Sequence, residues 1–79
     1  MEQKQLLQRF QNDSEWFYKN IDKLRKQGYT EKFVAIKNAK PIAANENIDV
    51  VIRQLDKEKE DPSFIFIEFV HPGGYVLLL

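Results

Sequence analysis

The stretch "KFVAIKNAKPIAA" (residues 32–44) decides the fold, because here the hydrophobic pattern changes from helical spacing to strand spacing. It predicts a β-hairpin whose loop holds Asn38, Ala39 and Lys40. In this register Ile36 lies opposite Ile42, and Lys37 lies opposite Pro41, which has no N–H donor and suits a strand start or a sheet edge. One face of the hairpin then forms the predicted core side, made of Val34, Ile36, Ile42 and Ala44.

The residues before this hairpin have the spacing of an amphipathic helix. The stripe recurs every three or four positions at Leu7, Phe10, Ser14, Phe17, Ile21 and Leu24. Residues 12–14 are polar and favour caps and turns, and Asn12 and Glu15 have the spacing of a capping box. The sequence predicts either one long helix or two with a break at residues 12–14, in which case residues 1–15 are a separate N-terminal segment. Gly28 occupies the position of a left-handed C-terminal cap.

A second amphipathic helix is predicted over "NENIDVVIRQLDKEK" (residues 45–59). Either Asn45 or Asn47 can cap its N-terminus, and Asp49 lies where the helix dipole favours negative charge. Its apolar stripe consists of Ile48, Val51, Ile52 and Leu55. The Asp61-Pro62 pair marks the exit from this helix.

The final stretch, "FIFIEFVHPGGYVLLL" (residues 64–79), predicts a second hairpin around a loop of residues 71–74. One face is entirely apolar and is predicted to be core: Ile65, Ile67, Phe69, Val76 and Leu78. The other face carries one carboxylate and one phenol among apolar side chains: Phe64, Phe66, Glu68, Val70, Tyr75, Leu77 and Leu79. A sheet with one solvated face alternates apolar and polar residues, so this second face is predicted to be covered. Either a helix of this chain or another chain covers it.

The predicted order of helix, two strands, helix and two strands makes residues 1–79 a single small α+β domain. Its mainly antiparallel sheet is packed by two helices. The 12 basic and 12 acidic residues leave no net charge, which excludes a global basic field for nucleic acid. The sequence has no cysteine, and neither its start nor its end has the pattern of a signal peptide or a membrane span. A protein of the cytoplasm is expected.

Several of these features together resemble a domain-of-unknown-function family of short prokaryotic proteins that is uncharacterised. The matching features are Trp16, Asn20 and Leu24 in the first helix, the strand at residues 32–36, the helix at residues 48–55, Asp61-Pro62, and the strand at residues 67–70. The similarity covers about residues 16–70. It implies a shared small α/β fold, and it supplies no activity and no catalytic residue.

The residues themselves also predict no enzyme, cofactor, metal or small-molecule substrate. His71 is the single histidine, and only Glu68 and Tyr75 lie near it in the sequence. Catalysis would require a nucleophile and an orienting partner for it, so we interpret His71 as a turn residue with a local hydrogen bond. No lysine follows the two glycines after Pro72, so that segment is a chain reversal rather than a phosphate-binding loop.

The second face of the C-terminal hairpin is the predicted partner-binding surface, because an apolar patch on a small protein typically marks a protein contact. Its predicted contact residues are Phe64, Phe66, Glu68, Tyr75, Leu77 and Leu79. The function this predicts is a non-enzymatic protein-interaction module that forms a homodimer or docks on a protein partner. The alternative is cover by the N-terminal helix in cis.

A second hypothesis is a small nucleic-acid-binding regulator. Lys19, Lys23 and Lys26 follow helical spacing, and Trp16 lies near them. Lysines can contact phosphates and an aromatic ring can stack on a base. Because Glu15 and Asp22 share this helix surface, nucleic acid is the less favoured partner.

Overall fold

The computed structural model describes residues 2–73, with side chains described from residue 5 onward. In the described part, three strands form one antiparallel sheet in the order β2-β1-β3, with helices packed on both faces. The helices are α1 (Glu2–Lys19), α2 (Ile21–Leu24), which continues into a π-helical turn (Arg25–Tyr29), and α3 (Ile48–Lys57). The strands are β1 (Phe33–Ile36), β2 (Pro41–Asn45) and β3 (Phe66–Phe69), and a 3-10 turn (Pro62–Phe64) precedes β3. The predicted α+β class is confirmed.

Helix α1 runs without interruption through residues 12–14, so the alternative with a break there is wrong. The Oδ1 atom of Asn12 accepts a hydrogen bond from Nε2 of Gln8 at 3.0 Å. The carboxylate of Asp13 is buried and accepts from the backbone N–H of Ala39 at 2.9 Å. Aspartate favours helix ends, but here Asp13 lies inside the helix and its carboxylate binds the β1–β2 turn.

The end of the first helical segment agrees with the sequence. Gly28 has a φ of 93°, as expected of a left-handed cap. Before it, α1 gives way to α2 at Asn20, and the π-helical turn begins at Arg25. The side chain of Asn20 donates to the carbonyl of Trp16 at 2.8 Å, which keeps the two helical pieces nearly continuous.

The β1–β2 hairpin turns more tightly than its sequence predicts. Lys37 and Lys40 exchange backbone hydrogen bonds of 2.9 and 3.2 Å around a two-residue turn of Asn38 and Ala39. Both turn residues have positive φ, 52° and 59°, as a turn matched to the strand twist requires. The predicted three-residue loop is therefore wrong.

Because the turn holds two residues and not three, β2 has one residue more than β1 in the paired region. This extra residue forms a bulge where the register shifts between Ala35 and Ile36. Val34 pairs with Ala44 as predicted, but Ile36 pairs with Pro41 rather than with Ile42. As a result Ile42 packs with Ala35 on the α3 side of the sheet. Its predicted place on the face of Val34 and Ile36 is wrong.

Two apolar clusters sandwich the sheet. The cluster on the α1 side is centred on Phe17, Leu24, Val34, Ile36 and Val70. The cluster on the α3 side is centred on Ala35, Val51, Leu55 and Ile65. Strand β1 is therefore buried on both faces, which explains why its sequence is continuously apolar.

Of the two predicted cap candidates, Asn47 is the N-cap of helix α3, and its side chain accepts from the N–H of Asp49 at 2.9 Å. Beyond this helix, Asp61 accepts from the N–H of Ser63 at 3.0 Å and begins the 3-10 turn. Phe64 lies in that turn, so its predicted place in a strand is wrong. Ile65 and Ile67 pack on the α3 side, as predicted for the core face. The other half of the predicted second hairpin, residues 74–79, lies outside the described residues.

Candidate functional site at the edge of β3

Within the described part of the chain, β3 lies at one edge of the sheet. Its inner edge pairs with β1 and places Glu68 opposite Val34. Just past the strand, the N–H of Val70 donates to Lys32 at 2.9 Å and its carbonyl accepts from Glu31 at 2.7 Å. Since successive residues of an antiparallel strand direct their backbone groups to opposite edges, the N–H of Phe69 is directed outward.

The carboxylate of Glu68 occupies this outer edge. Its Oε2 accepts from the outward N–H of Phe69 at 3.0 Å. Its Oε1 accepts from the phenol O–H of Tyr18 on α1 at 3.4 Å. A charged side chain bent over an edge strand occupies the position that an added strand would use.

The surroundings of Tyr18 raise the pKa of its phenol. Partial burial raises the pKa of Tyr18 above its ordinary value, and the negative charge of Glu68 and the hydrogen bond to it act in the same direction. The folded protein therefore holds the phenol proton, which Tyr18 donates to Glu68, to a higher pH than a free tyrosine would.

A groove of about 300 Å³ lies between β3 and the helices α1 and α2. The residues lining it are mostly apolar or aromatic, with one acid and one guanidinium: Phe17, Tyr18, Ile21, Arg25, Glu68, Phe69 and His71. The imidazole of His71 packs edge-on against the ring of Phe69, with 5.0 Å between ring centres. Such walls fit an apolar side chain better than a charged ligand.

Arg25 is one of the residues that line the groove. Its Nε donates to the backbone carbonyl of His71 at 2.8 Å, and its Nη1 pairs with the carboxylate of Asp22 at 2.8 Å. Because Arg25 belongs to the helical segment and His71 follows β3, this side chain ties the exit of β3 to the helix.

The structure places the described members of the predicted partner-binding set in different surroundings. The ring of Phe66 packs against Phe17 of α1 with 5.6 Å between ring centres, and Glu68 lies beneath Tyr18. Both side chains are half-buried, with α1 packed over part of this face. Phe64 remains 49% exposed in the 3-10 turn. The remaining predicted contacts lie outside the described residues: Tyr75, Leu77 and Leu79.

Sequence reasoning missed the helical side of the groove. Tyr18, Ile21 and Arg25 are spaced by three and four positions, so they share one face of the helix next to the core residue Phe17. That spacing was a usable signal. What the sequence alone could not show is which strand this face meets.

The residues of the nucleic-acid hypothesis are also placed. The side chains of Lys19, Lys23 and Lys26 are exposed along the helical segment. Trp16 is half-buried and packs against the α1-side core cluster. One part of the indole therefore packs on the domain, and the stacking role that the hypothesis gave it stays a prediction.

Residues 2–73 contain no cluster of three or more acidic, histidine or cysteine side chains that could hold a metal ion. In the same range, no helix is both long enough and apolar enough to cross a membrane.

Comparison with known sequences places the chain in a family. The model of a family of unknown function, DUF5678, matches residues 23–69. The chain belongs to the DUF5678 family. No curated protein and no solved structure matches it. The predicted resemblance to a domain family of unknown function is thereby confirmed.

Only some of the residues that line the groove lie in the region matched by DUF5678. That region begins within α2 and ends with β3, so Arg25, Glu68 and Phe69 lie inside it. Tyr18 and Ile21 precede the matched region. The groove therefore combines residues of the family domain with residues of the preceding helix.

Proposed function

We propose that this DUF5678 protein is a non-enzymatic protein-interaction module that self-associates through the C-terminal edge of its sheet. The observation that supports this most is the position of β3, which packs against helices on both faces and whose outer edge pairs with no strand in the described part of the chain. For a strand to add there, the Glu68 carboxylate would have to move off the N–H of Phe69. An open strand edge offers unpaired backbone groups for strand addition.

Exposed apolar side chains near this edge add to the argument. Phe64, two residues before the start of β3, is 49% exposed, and Tyr18, which contacts Glu68 at this edge, is 59% exposed. Aromatic side chains are the ones that most often anchor protein interfaces. The second copy would contact these rings together with the backbone edge.

Light scattering coupled to size-exclusion chromatography tests the proposal across a range of protein concentrations. We expect the unmodified protein to form a dimer and Phe64→Glu to shift it to the monomer, because a carboxylate would be buried at the contact. Leu7→Glu is the matched control, since Leu7 is a 68% exposed apolar residue on α1. A folded wild-type protein that stays monomeric at all concentrations contradicts self-association, and equal weakening by both substitutions contradicts the assigned surface.

A further inference from the structure

We propose that two copies of this chain pair β3 with β3 as antiparallel neighbours, with Ile67 of one copy directly opposite Ile67 of the other. The pairing rests on the self-association proposed above, and it fixes the symmetry and the register of that contact. It also brings the ring of Phe64 of each copy to the groove of the other.

The outer edge of β3 offers the backbone groups of every second residue. Val70 bonds inward through both of its backbone groups, to Lys32 and Glu31. Because the direction alternates along the chain, three residues direct their backbone groups outward: Ile65, Ile67 and Phe69. Ile65, just before the strand, is extended with φ −114° and ψ 135°, and its N–H donates to Pro62 at 3.3 Å. Its carbonyl is the group that it offers to a second strand.

Charge and hydrogen bonding select one register for two identical strands. A two-fold axis at Glu68 would place the two Glu68 carboxylates directly opposite each other, which is destabilising. An axis at Phe66 would place Phe69 opposite a residue of the 3-10 turn, and axes at either end of the strand pair fewer outward groups. An axis at Ile67 uses all three outward residues, because it pairs Ile67 with itself and Ile65 with Phe69.

This register also matches the side chains on the α3 side of the sheet. Ile65 and Ile67 pack in the α3-side cluster, and the ring of Phe69 lies 5.1 Å from that of Phe33 at the same cluster. Residues directly opposite each other share a face, so every cross-strand pair on this side is apolar. Such pairs stabilise an antiparallel sheet.

The groove receives an aromatic ring in this register. The N-terminal end of one β3 lies beside the C-terminal end of the other, where Arg25 and His71 line the groove. Phe64 directly precedes Ile65 and is 49% exposed. The Phe64 ring of the second copy is an apolar side chain of the kind that these mostly apolar walls fit. Each copy therefore completes the groove of the other.

Glu68 exchanges one of its contacts when the strands pair. Its Oε2 accepts from the N–H of Phe69 at 3.0 Å, and the Ile65 carbonyl of the second copy takes that place. Its Oε1 keeps the O–H of Tyr18 as a donor. In this register the carboxylate lies opposite Phe66 of the second copy and not opposite another carboxylate.

Disulfide formation between two copies tests the register, and the sequence has no cysteine of its own. In the proposed pairing the two Ile67 Cα atoms are about 5.5 Å apart, within the range that a disulfide spans. We expect Ile67→Cys to convert most of the protein to a covalent dimer under mild oxidation. Phe66→Cys lies diagonally across from its own copy and should form only a minor fraction of dimer. Arg53→Cys is the control for random collision, since Arg53 is exposed on α3.

Light scattering on the unmodified protein separates the register from the proposed function. If the protein is a dimer and folded Ile67→Cys closes no faster than Arg53→Cys, the register is wrong while self-association stands. Faster closure of Phe66→Cys than of Ile67→Cys would move the axis to Phe66 and would also overturn the register. A protein that is monomeric at every concentration overturns both proposals.

Hydrogen exchange in the unmodified protein gives a second test that needs no substitution. In the proposed pairing the outward amides of Ile67 and Phe69 become sheet hydrogen bonds between copies. Their exchange should slow as the protein concentration rises through the range in which light scattering shows association. The amide of Glu68, which pairs with β1, is the internal control and should change less. Exchange of Ile67 and Phe69 that does not depend on concentration, in a protein that dimerises, would overturn the pairing.

Discussion

At the residue scale, the β1–β2 turn has a conformation that one of its residues does not favour. Ala39 has a φ of 59°, in the left-handed region, where an L-residue with a Cβ is disfavoured by about 1–2 kcal/mol. The preceding residue, Asn38, tolerates this region better because its side chain can hydrogen-bond locally. The turn type is the one in which Asn-Gly is preferred over Asn-Ala.

Ala39→Gly is therefore predicted to stabilise the protein by about 1 kcal/mol, since relief of the left-handed strain exceeds the entropy cost of glycine. Urea unfolding measures the change. Ala43→Gly in β2 is the matched control and should lower the free energy of unfolding, because a strand interior does not need positive φ. A loss of stability in Ala39→Gly would show that the turn is not strained.

Tyr18 supplies a second prediction at this scale. Its raised pKa means that the folded state holds the phenol proton more tightly than the unfolded state. The associated stability is present below pH 10 and is lost as the pH rises through the folded-state pKa. Titration of phenolate absorbance should show Glu68→Gln moving the pKa of Tyr18 down towards its ordinary value. Tyr18→Phe identifies which part of the absorbance belongs to Tyr18, and an unchanged titration in Glu68→Gln would contradict the contact.

At the element scale, α3 follows local rules more closely than α1 does. Its apolar stripe buries Val51 and Leu55, and Asn47 caps its first turn. Helix α1 contains residues that favour an end at positions 12–14, yet it continues to Lys19. The difference is that Asp13 has a partner in another element, whereas the cap of α3 lies within α3 itself.

Asn47→Ala is predicted to destabilise the protein by about 1 kcal/mol, because the N–H of Asp49 loses its side-chain acceptor. Thermal or urea unfolding measures this. The neighbouring substitution Glu46→Ala is the control, since Glu46 is exposed and lies before the cap, and it should change stability by less than about 0.5 kcal/mol. Equal effects of the two substitutions would argue against the capping role.

At the scale of the whole molecule, two contacts tie the tip of the β1–β2 hairpin to distant parts of the chain. Asp13 of α1 accepts from the N–H of Ala39, and Nζ of Lys37 pairs with Oε2 of Glu60, after α3, at 2.7 Å. The side chains of Lys37 and Glu60 are less than one-third exposed. The hairpin tip is thus held from both sides of the sheet.

Asp13→Ala is predicted to lower the free energy of unfolding by about 1–3 kcal/mol, since the N–H of Ala39 would lose its acceptor in a part-buried setting. Asp13→Asn retains an acceptor oxygen at the same position and should lose less. Urea unfolding of the two variants makes the comparison. If both lose the same amount, the carboxylate charge rather than the hydrogen bond is what stabilises this contact.

The candidate site shows how far prediction from sequence reached. The hydrophobic pattern of residues 64–70 predicted that the face of Phe66 and Glu68 would be covered, and it left open by what. Phe17 and Tyr18 lie about fifty positions earlier in the chain, so no local pattern could pair them with β3. The part of this prediction that concerns Tyr75, Leu77 and Leu79 stays a prediction.

The sequence by itself determined the order of the described helices and strands and the left-handed end at Gly28, and it narrowed the cap of α3 to Asn45 or Asn47. These features depend on residues within one or two turns of each other, and their preferences are local. Only the tertiary structure decided the bulge that turns Ile42 towards α3, the continuity of α1 through Asp13, and the cover of β3 by α1. Each of these depends on a hydrogen bond or an apolar contact between segments distant in the chain, and such contacts override local preferences.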